Sequence, residues 1–342
     1  MNPVLARETK ERFRGKRVTP WLLITWIGAI GLIGYLLYLL ARVTAEQSFG
    51  LGRAVAAGFM GRFLFESMTI LLVTAVVMVV PGITALAIVG ERERQTFHLL
   101  QVTQMSPFQL ITGKLSASIV YFLLLIVAVL PIAGLPLLFG GTGLKDVVVA
   151  VAFILLLTLM LASTSMWMSA RSKSSRGAVA LSYVIAFSIA FLSFAGLGAE
   201  YFLALDEFND IPRGGIESYS GLVNPYLGLV SAMEMPLEVD QQRVFATPYT
   251  ALELHLFQRQ GANLGGFGGQ VAPGTIRIED GRQFVNYSRP PLWIYTVSAY
   301  VLLTVVALYR STRLVQAPAP KPIRVKSRKG RDSDEKVPDA TS

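Results

Sequence analysis

The sequence predicts an all-α polytopic membrane protein. Six transmembrane helices are joined by a structured helical loop on one side and by a mixed extracytoplasmic segment before the sixth span. Three observations carry this. Hydrophobic residues make up 53% of the chain and charged ones only 15%, against roughly 45–50% and about 25% in soluble domains. Windows free of Asp, Glu, Lys, Arg and His cover residues 20–41, 67–90, 115–144, 147–170, 177–199 and 290–309. Each is at or near the ~20 residues that carry a helix across a hydrocarbon core about 30 Å thick, and backbone groups in lipid must pair within their own segment, so each window is a helix. Lastly, Lys and Arg crowd one side. With both termini inside, that side holds Arg7, Lys10, Arg12, Arg14, Lys16 and Arg17, then Arg92, Arg94 and Lys114, then Arg171, Lys173 and Arg176, then the tail from Arg310. The short loops opposite hold Arg42, Arg53, Arg62 and Lys145. Positive charge marks the cytoplasmic side, so the net charge of +9 is mostly a topology signal rather than a sign of a nucleic-acid partner.

In chain order, residues 1–19 are basic with Val4, Leu5 and Phe13 interleaved, which suits a cytoplasmic interfacial segment or a plain charged lead-in. The first window is longer than the apolar core of a signal peptide and no A-x-A-like site follows, so it reads as an uncleaved span. Residues 42–66 form an outside connector whose Gly50, Gly52, Gly58 and Gly61 leave its helicity open. Pro81 in the second span and Pro131 and Pro136 in the third should kink or break their helices. Together residues 20–199 carry spans one to five, with the loop 91–114 between spans two and three.

Residues 200–290 are the large extracytoplasmic portion, richer in acids than in bases. Within it, the apolar run 221–235 is too short to span and reads as an interfacial or packed helix. The glycine-rich stretch 261–274 reads as a mobile loop, and the alternation over 275–287 around Asp280-Gly281 as a small hairpin. Span six covers 291–309, and the basic tail 310–342, with its APAPKP run, reads as disordered.

Several function classes are disfavoured. Cysteine is absent, which removes disulfides and thiolate sites. No G-x-x-x-x-G-K-[ST] occurs, because Leu115 follows Gly113-Lys114, so the chain has no P-loop of its own. The two histidines, His98 and His255, fall on opposite sides of the bilayer and cannot share a metal. Ion-coupled carriers usually rely on ionisable groups within their spans, and the six windows contain none. Small hydroxyl residues gather in spans four and five: Ser163, Thr164, Ser165 and Ser169, then Ser182 and Ser188. Such residues favour close helix packing or line a translocation pathway.

The loop 91–114 reads ERERQTFHLLQVTQMSPFQLITGK. Ser106-Pro107-Phe108-Gln109 has the pattern of a helix start: Ser as N-cap, Pro at the first helical position, and Gln three residues after Ser to close a capping box. The loop is then two short helices with a bend at Gln104-Met105. Glu91, Arg94 and His98 share one surface of the first helix, and Phe97 and Leu100 lie on another. Such an element either lies on lipid or is presented to a cytoplasmic partner.

The pattern E-x-E-R-x-T-x-x-L-L-x-x-T-x-x-S-P, followed by G-K and a span, resembles the permease subunits of type-2 ATP-binding-cassette (ABC) exporters. It places Glu91, Glu93, Arg94, Thr96, Leu99, Leu100, Thr103, Ser106, Pro107, Gly113 and Lys114 on the family's coupling helix. Gln95, His98 and Gln104 stand where a Gly, an acid and a Pro are common. The resemblance implies six spans, a coupling helix that docks on a cytoplasmic ABC ATPase (two copies), and a second permease chain, identical or related. It implies no cofactor on this chain, with ATP and magnesium on the partner, and a multi-pass location in the bacterial plasma membrane. The function expected is that of a permease exporting lipid-like, amphipathic or peptide cargo, with no catalysis of its own. A membrane sensor or scaffold, and an ion-coupled carrier, are the competing classes.

Overall fold

The computed structural model describes residues 18–48, 53–95, 106–140, 142–207, 219–233, 239–240, 243–244, 248–249, 276–279, 282–285 and 291–316. Helix α1 is Val18–Ser48 and α2 is Arg53–Thr84, followed after a turn by the short α3, Val89–Glu93. Helix α4, Pro107–Ala133, leads into a single turn, α5, Pro136–Phe139. Helix α6 is Leu144–Arg171. Helices α7, Ser175–Phe187, and α8, Ser193–Glu207, form one rod interrupted by a π-helical turn at Ser188–Leu192. The buried α9, Pro225–Ala232, precedes two antiparallel hairpins, β1–β2 (Val239–Asp240 with Arg243–Val244) and β3–β4 (Ile276–Glu279 with Arg282–Val285). Helix α10, Leu292–Val315, closes the described chain.

Six helical stretches among the described residues are long and apolar enough to cross a membrane, at Ile24–Val43, Ala57–Glu93, Pro107–Val129, Leu144–Arg171, Ser175–Glu200 and Leu292–Val315. Helix α6 is the centre of the bundle and packs on α10, α2, α7 and α4. Its Phe153, Ile154, Leu157, Met160 and Leu161 are buried. Helix α1 sits at the edge against α2 and α4, with Trp21, Ile24, Leu32, Leu36 and Leu40 exposed. An apolar face of that extent is at rest only in hydrocarbon, where lipid tails rather than water surround it.

The prolines act where expected. Pro81 lies inside α2, and the helix ends one turn later at Thr84. Beside it, the Tyr183 hydroxyl of α7 donates to the Met78 carbonyl at 2.7 Å, a neighbouring helix supplying a donor to a proline-disturbed backbone. Pro136 starts α5, and Gly140, at φ +83°, turns the chain toward α6.

The connector expected over residues 42–66 is corrected. Its second half is the start of α2, from Arg53, and Gly58 and Gly61 sit within the helix. Gly61 is there for space: a Cβ on it would come within 2.0 Å of the Gly140 carbonyl oxygen and 2.8 Å of that of Pro136.

The run at 221–235 packs rather than lying at an interface. Asn224 caps α9, its side-chain oxygen accepting from the Tyr226 and Leu227 amides, with Pro225 in the first turn. Residues Pro225 through Val230 are all buried. Gly228 allows contact so close that a Cβ would lie 2.7 Å from Thr296 Cγ2 and 2.9 Å from Phe153 Cζ. The Asn224 amide nitrogen also donates to Ser193 Oγ at 2.7 Å and to the Ala190 carbonyl at 3.4 Å, which ties α9 to the π turn. The hairpin expected around Asp280-Gly281 is β3–β4, paired Ile276 with Val285 and Glu279 with Arg282.

Candidate functional site

At the loop end of the bundle, α3 is fastened to three other elements. Ser169 Oγ, near the C-terminus of α6, accepts from the Ile88 and Val89 amides, each at 3.0 Å. These are N–H groups at a helix start, which have no partner within their own helix. The Arg92 guanidinium donates back to the Ala170 carbonyl at 2.7 Å, near the C-terminal end of α6. Glu91 pairs with Lys114 at 3.2 Å, which joins α3 to α4, and Lys114 is only 4% exposed. Glu93 accepts from the Ser175 amide at 2.7 Å and from the Ser175 hydroxyl, so its carboxylate sits at the positive N-terminus of α7.

The expected helix start at Ser106 is present in both its bonds. The Gln109 amide donates to Ser106 Oγ at 3.2 Å, and the Ser106 amide donates to Gln109 Oε1 at 3.1 Å. Two expectations for the loop need correction. The first helix does not run on from Glu91 toward Thr103. It ends at Glu93, with Arg94 as its C-cap and Gln95 at φ +59°, a left-handed conformation that glycine adopts most easily. The second helix is not a short separate piece, because Pro107 begins α4, which continues to Ala133. Thr96, His98, Leu99, Leu100, Thr103 and the Gln104-Met105 bend lie outside the described residues.

The carboxylates of Glu91 and Glu93 therefore face other parts of this chain, whereas Arg94 is exposed. No motif spelled out those intrachain partners, because Ser169, Ala170 and Ser175 come roughly eighty residues later.

The hydroxyl residues of spans four and five sit within helix packing. Ser163 donates to the Leu159 carbonyl at 2.7 Å, Thr164 to that of Met160 at 3.0 Å, and Ser182 to that of Ala178 at 2.8 Å. Ser165 is buried and Ser188 half-buried at the π turn. Ser169 holds α3, as above.

At the opposite end of the bundle, sequence reasoning missed a second polar cluster. Arg62 and Glu66 fall outside the charge-free window 67–90 but inside α2, where they are 1% and 0% exposed. Arg62 Nε lies 2.7 Å from Glu66 Oε1, and Glu66 Oε2 accepts from the Tyr249 amide at 2.9 Å. The Tyr249 hydroxyl bonds Thr69 Oγ1. The inference that the spans carry no ionisable groups is corrected to that extent. The i, i+4 spacing of Arg62 and Glu66 was the available signal.

The family profile described as ABC-2 family transporter protein matches residues 58–239, more than half of the 342-residue chain. That range runs from the first turns of α2 through the clamped loop and spans three to five to the start of β1. No curated protein matches the chain. With six membrane-spanning helices and a structured loop between the second and third, the chain is a member of the ABC-2 transporter family, a multi-pass membrane subunit of a transport system.

Proposed function

We propose that the protein is the permease subunit of an ABC exporter, driven by ATP hydrolysis in a separate ATPase subunit that docks on the loop 91–114. Members of the ABC-2 family generally work with such a subunit. The observation that carries the reading is the fastening of α3. A loop that only connected two spans would need no bonds to α4, α6 and α7, but a lever must be rigidly joined to what it moves. Through Lys114, Ser169, Arg92 and Glu93, a push on the loop reaches spans three, four and five together. Glu91 and Glu93 serve this inner fastening, and Arg94 with Leu99 and Leu100 forms the docking face. Two ATPase copies and a second permease chain complete the assembly, with ATP and magnesium on the ATPase and no cofactor here.

The placement proposed is the bacterial plasma membrane with both termini cytoplasmic, from the asymmetry of Lys and Arg. The 200–290 segment then faces outward. The ion-coupled reading gains nothing from Arg62 and Glu66, since the two groups are held to each other and Glu66 also to the Tyr249 amide.

Replacing Leu99 and Leu100 by Asp tests the docking. Burying one leucine is worth about 1.5–3 kcal/mol, so losing two should remove co-purification of the ATPase and transport-coupled hydrolysis, while membrane insertion persists. Undiminished co-purification would show that the loop rests on lipid. Topology is read separately by placing single cysteines in the cysteine-free chain. Tyr219 is exposed, whereas Ser220 donates to Glu200 at 2.8 Å, so Tyr219→Cys is the informative outward site and Ser327→Cys the inward one. An impermeant reagent on intact cells should label the first and not the second.

A further inference from the structure

We propose that the bundle holds one acyl chain of a bilayer lipid in a cavity between α1, α2 and the α4–α5 break, at the end of the membrane away from the loop. The cavity measures about 290 Å³, at the lower edge of ligand pockets, roughly 300–1,000 Å³, and about twice the size of an apolar hole that takes up benzene.

Its origin lies in the sequence. Gly31 and Gly34 leave one face of α1 without side chains, while α4 ends at Ala133 and the chain re-forms only at Pro136. The missing side chains and the broken helix face each other across Met68 and Ile132. An apolar hollow of this size beside a membrane-facing helix suits a hydrocarbon chain, which restores dispersion contacts that its walls otherwise forfeit.

The surroundings identify the occupant. Tyr35 and Leu138 line the cavity while 58% and 82% exposed, so the cavity opens outward on the lipid-facing side of α1. Tyr38 lies between Tyr35 and Phe139, with ring centroids 6.5 and 6.1 Å away, and makes an aromatic wall in which the two tyrosines carry polar tips, the kind found where hydrocarbon meets headgroups. Among the described residues, no charged side chain lines the cavity. What a site with an apolar bore and a membrane-facing mouth meets is the tail of a lipid, and Met68, flexible and polarisable, suits a chain of variable shape.

The test uses the full chain in vesicles of phosphatidylethanolamine and phosphatidylglycerol doped with a phosphatidylcholine that bears a diazirine at the end of one acyl chain. After photolysis, mass spectrometry maps the adducts. Adducts should form on Met68, which is buried, as well as on the outward residues of α1. A Cβ at Gly31 meets only Ile132 Cδ1, at 3.6 Å, so Gly31→Phe fits the backbone and fills the bore. It should reduce the Met68 adduct at least tenfold while labelling of Leu32 and Leu36 persists. Ile132→Trp, filling from the opposite wall, should do the same if the first variant fails to insert. No adduct on Met68 in the natural sequence, or an adduct on Met68 unchanged in a folded variant, overturns the proposal.

Discussion

Helix α2 and its extension α3 carry a polar cluster at each end, and the two differ in how far water reaches them. At the far end, Arg62, Glu66, Thr69 and Tyr249 are buried together, so each charge depends on the other for what water would otherwise supply. At the loop end the cluster is only partly covered: Ser169 and Lys114 are buried, but Glu93 and Arg94 are exposed and Arg92 is half-exposed, and the bonds there tie the short α3 to the ends of longer helices. Buried ion pairs are costly to break because a lone charge remains in a dry site, whereas exposed bonds can exchange with water at little cost. The far cluster therefore behaves as a fixed pin that fastens the 248–249 segment to span two. On the function proposed above, the loop cluster serves as a joint, firm enough to pass a displacement and weak enough to rearrange during a transport cycle.

The comparison can be broken by substitution. Removing a partner from the pin should have the largest effect: Arg62→Ala should cost about 3–5 kcal/mol, measured as loss of unfolding free energy in detergent, and a loss below 1 kcal/mol would mean that the pair is hydrated. Ser169→Ala is next. It leaves the Ile88 and Val89 amides without their acceptor and should cost about 1–3 kcal/mol, with faster hydrogen exchange confined to those amides. Gln95→Gly sharpens the contrast in the other direction. Relief of the left-handed backbone should stabilise the loop by up to about 1 kcal/mol, visible as slower proteolysis of the loop. Smallest in stability is Glu93→Gln, which should leave the unfolding transition where it is. If the joint carries force, the same variant should retain the bound ATPase yet lower transport relative to ATP hydrolysis. Normal coupling in that variant would place the transmission in Lys114, Ser169 and Arg92.

Features held by neighbours in sequence were readable directly. The six apolar stretches, the Ser106–Gln109 capping box, the β3–β4 hairpin and the breaks at Pro81 and Pro136 each depend on residues a few positions apart. Their energies are local, so pattern alone suffices. The loop motif likewise marked the right part of the molecule, but not what its acids bind. Glu93 is a charged residue near a membrane surface on any reading, and its partner Ser175 becomes one only when α6 has brought the chain back across the bundle.

The same distance hides the rest. Arg62 and Glu66 read as loop charges until α2 is seen to extend past them and Tyr249, 183 residues beyond Glu66, covers them. The run at Pro225–Ala232 reads equally well as interfacial or packed until Asn224 finds Ser193 and Ala190 and Gly228 admits Phe153 and Thr296. Hydrophobic length and turn chemistry are properties of a segment, and they specify that this chain crosses the membrane six times with a structured loop after the second span. Burial of a charge, the left-handed turn at Gln95 and the cavity beside Gly31 are properties of what packs against a segment, and they exist only once distant helices have met.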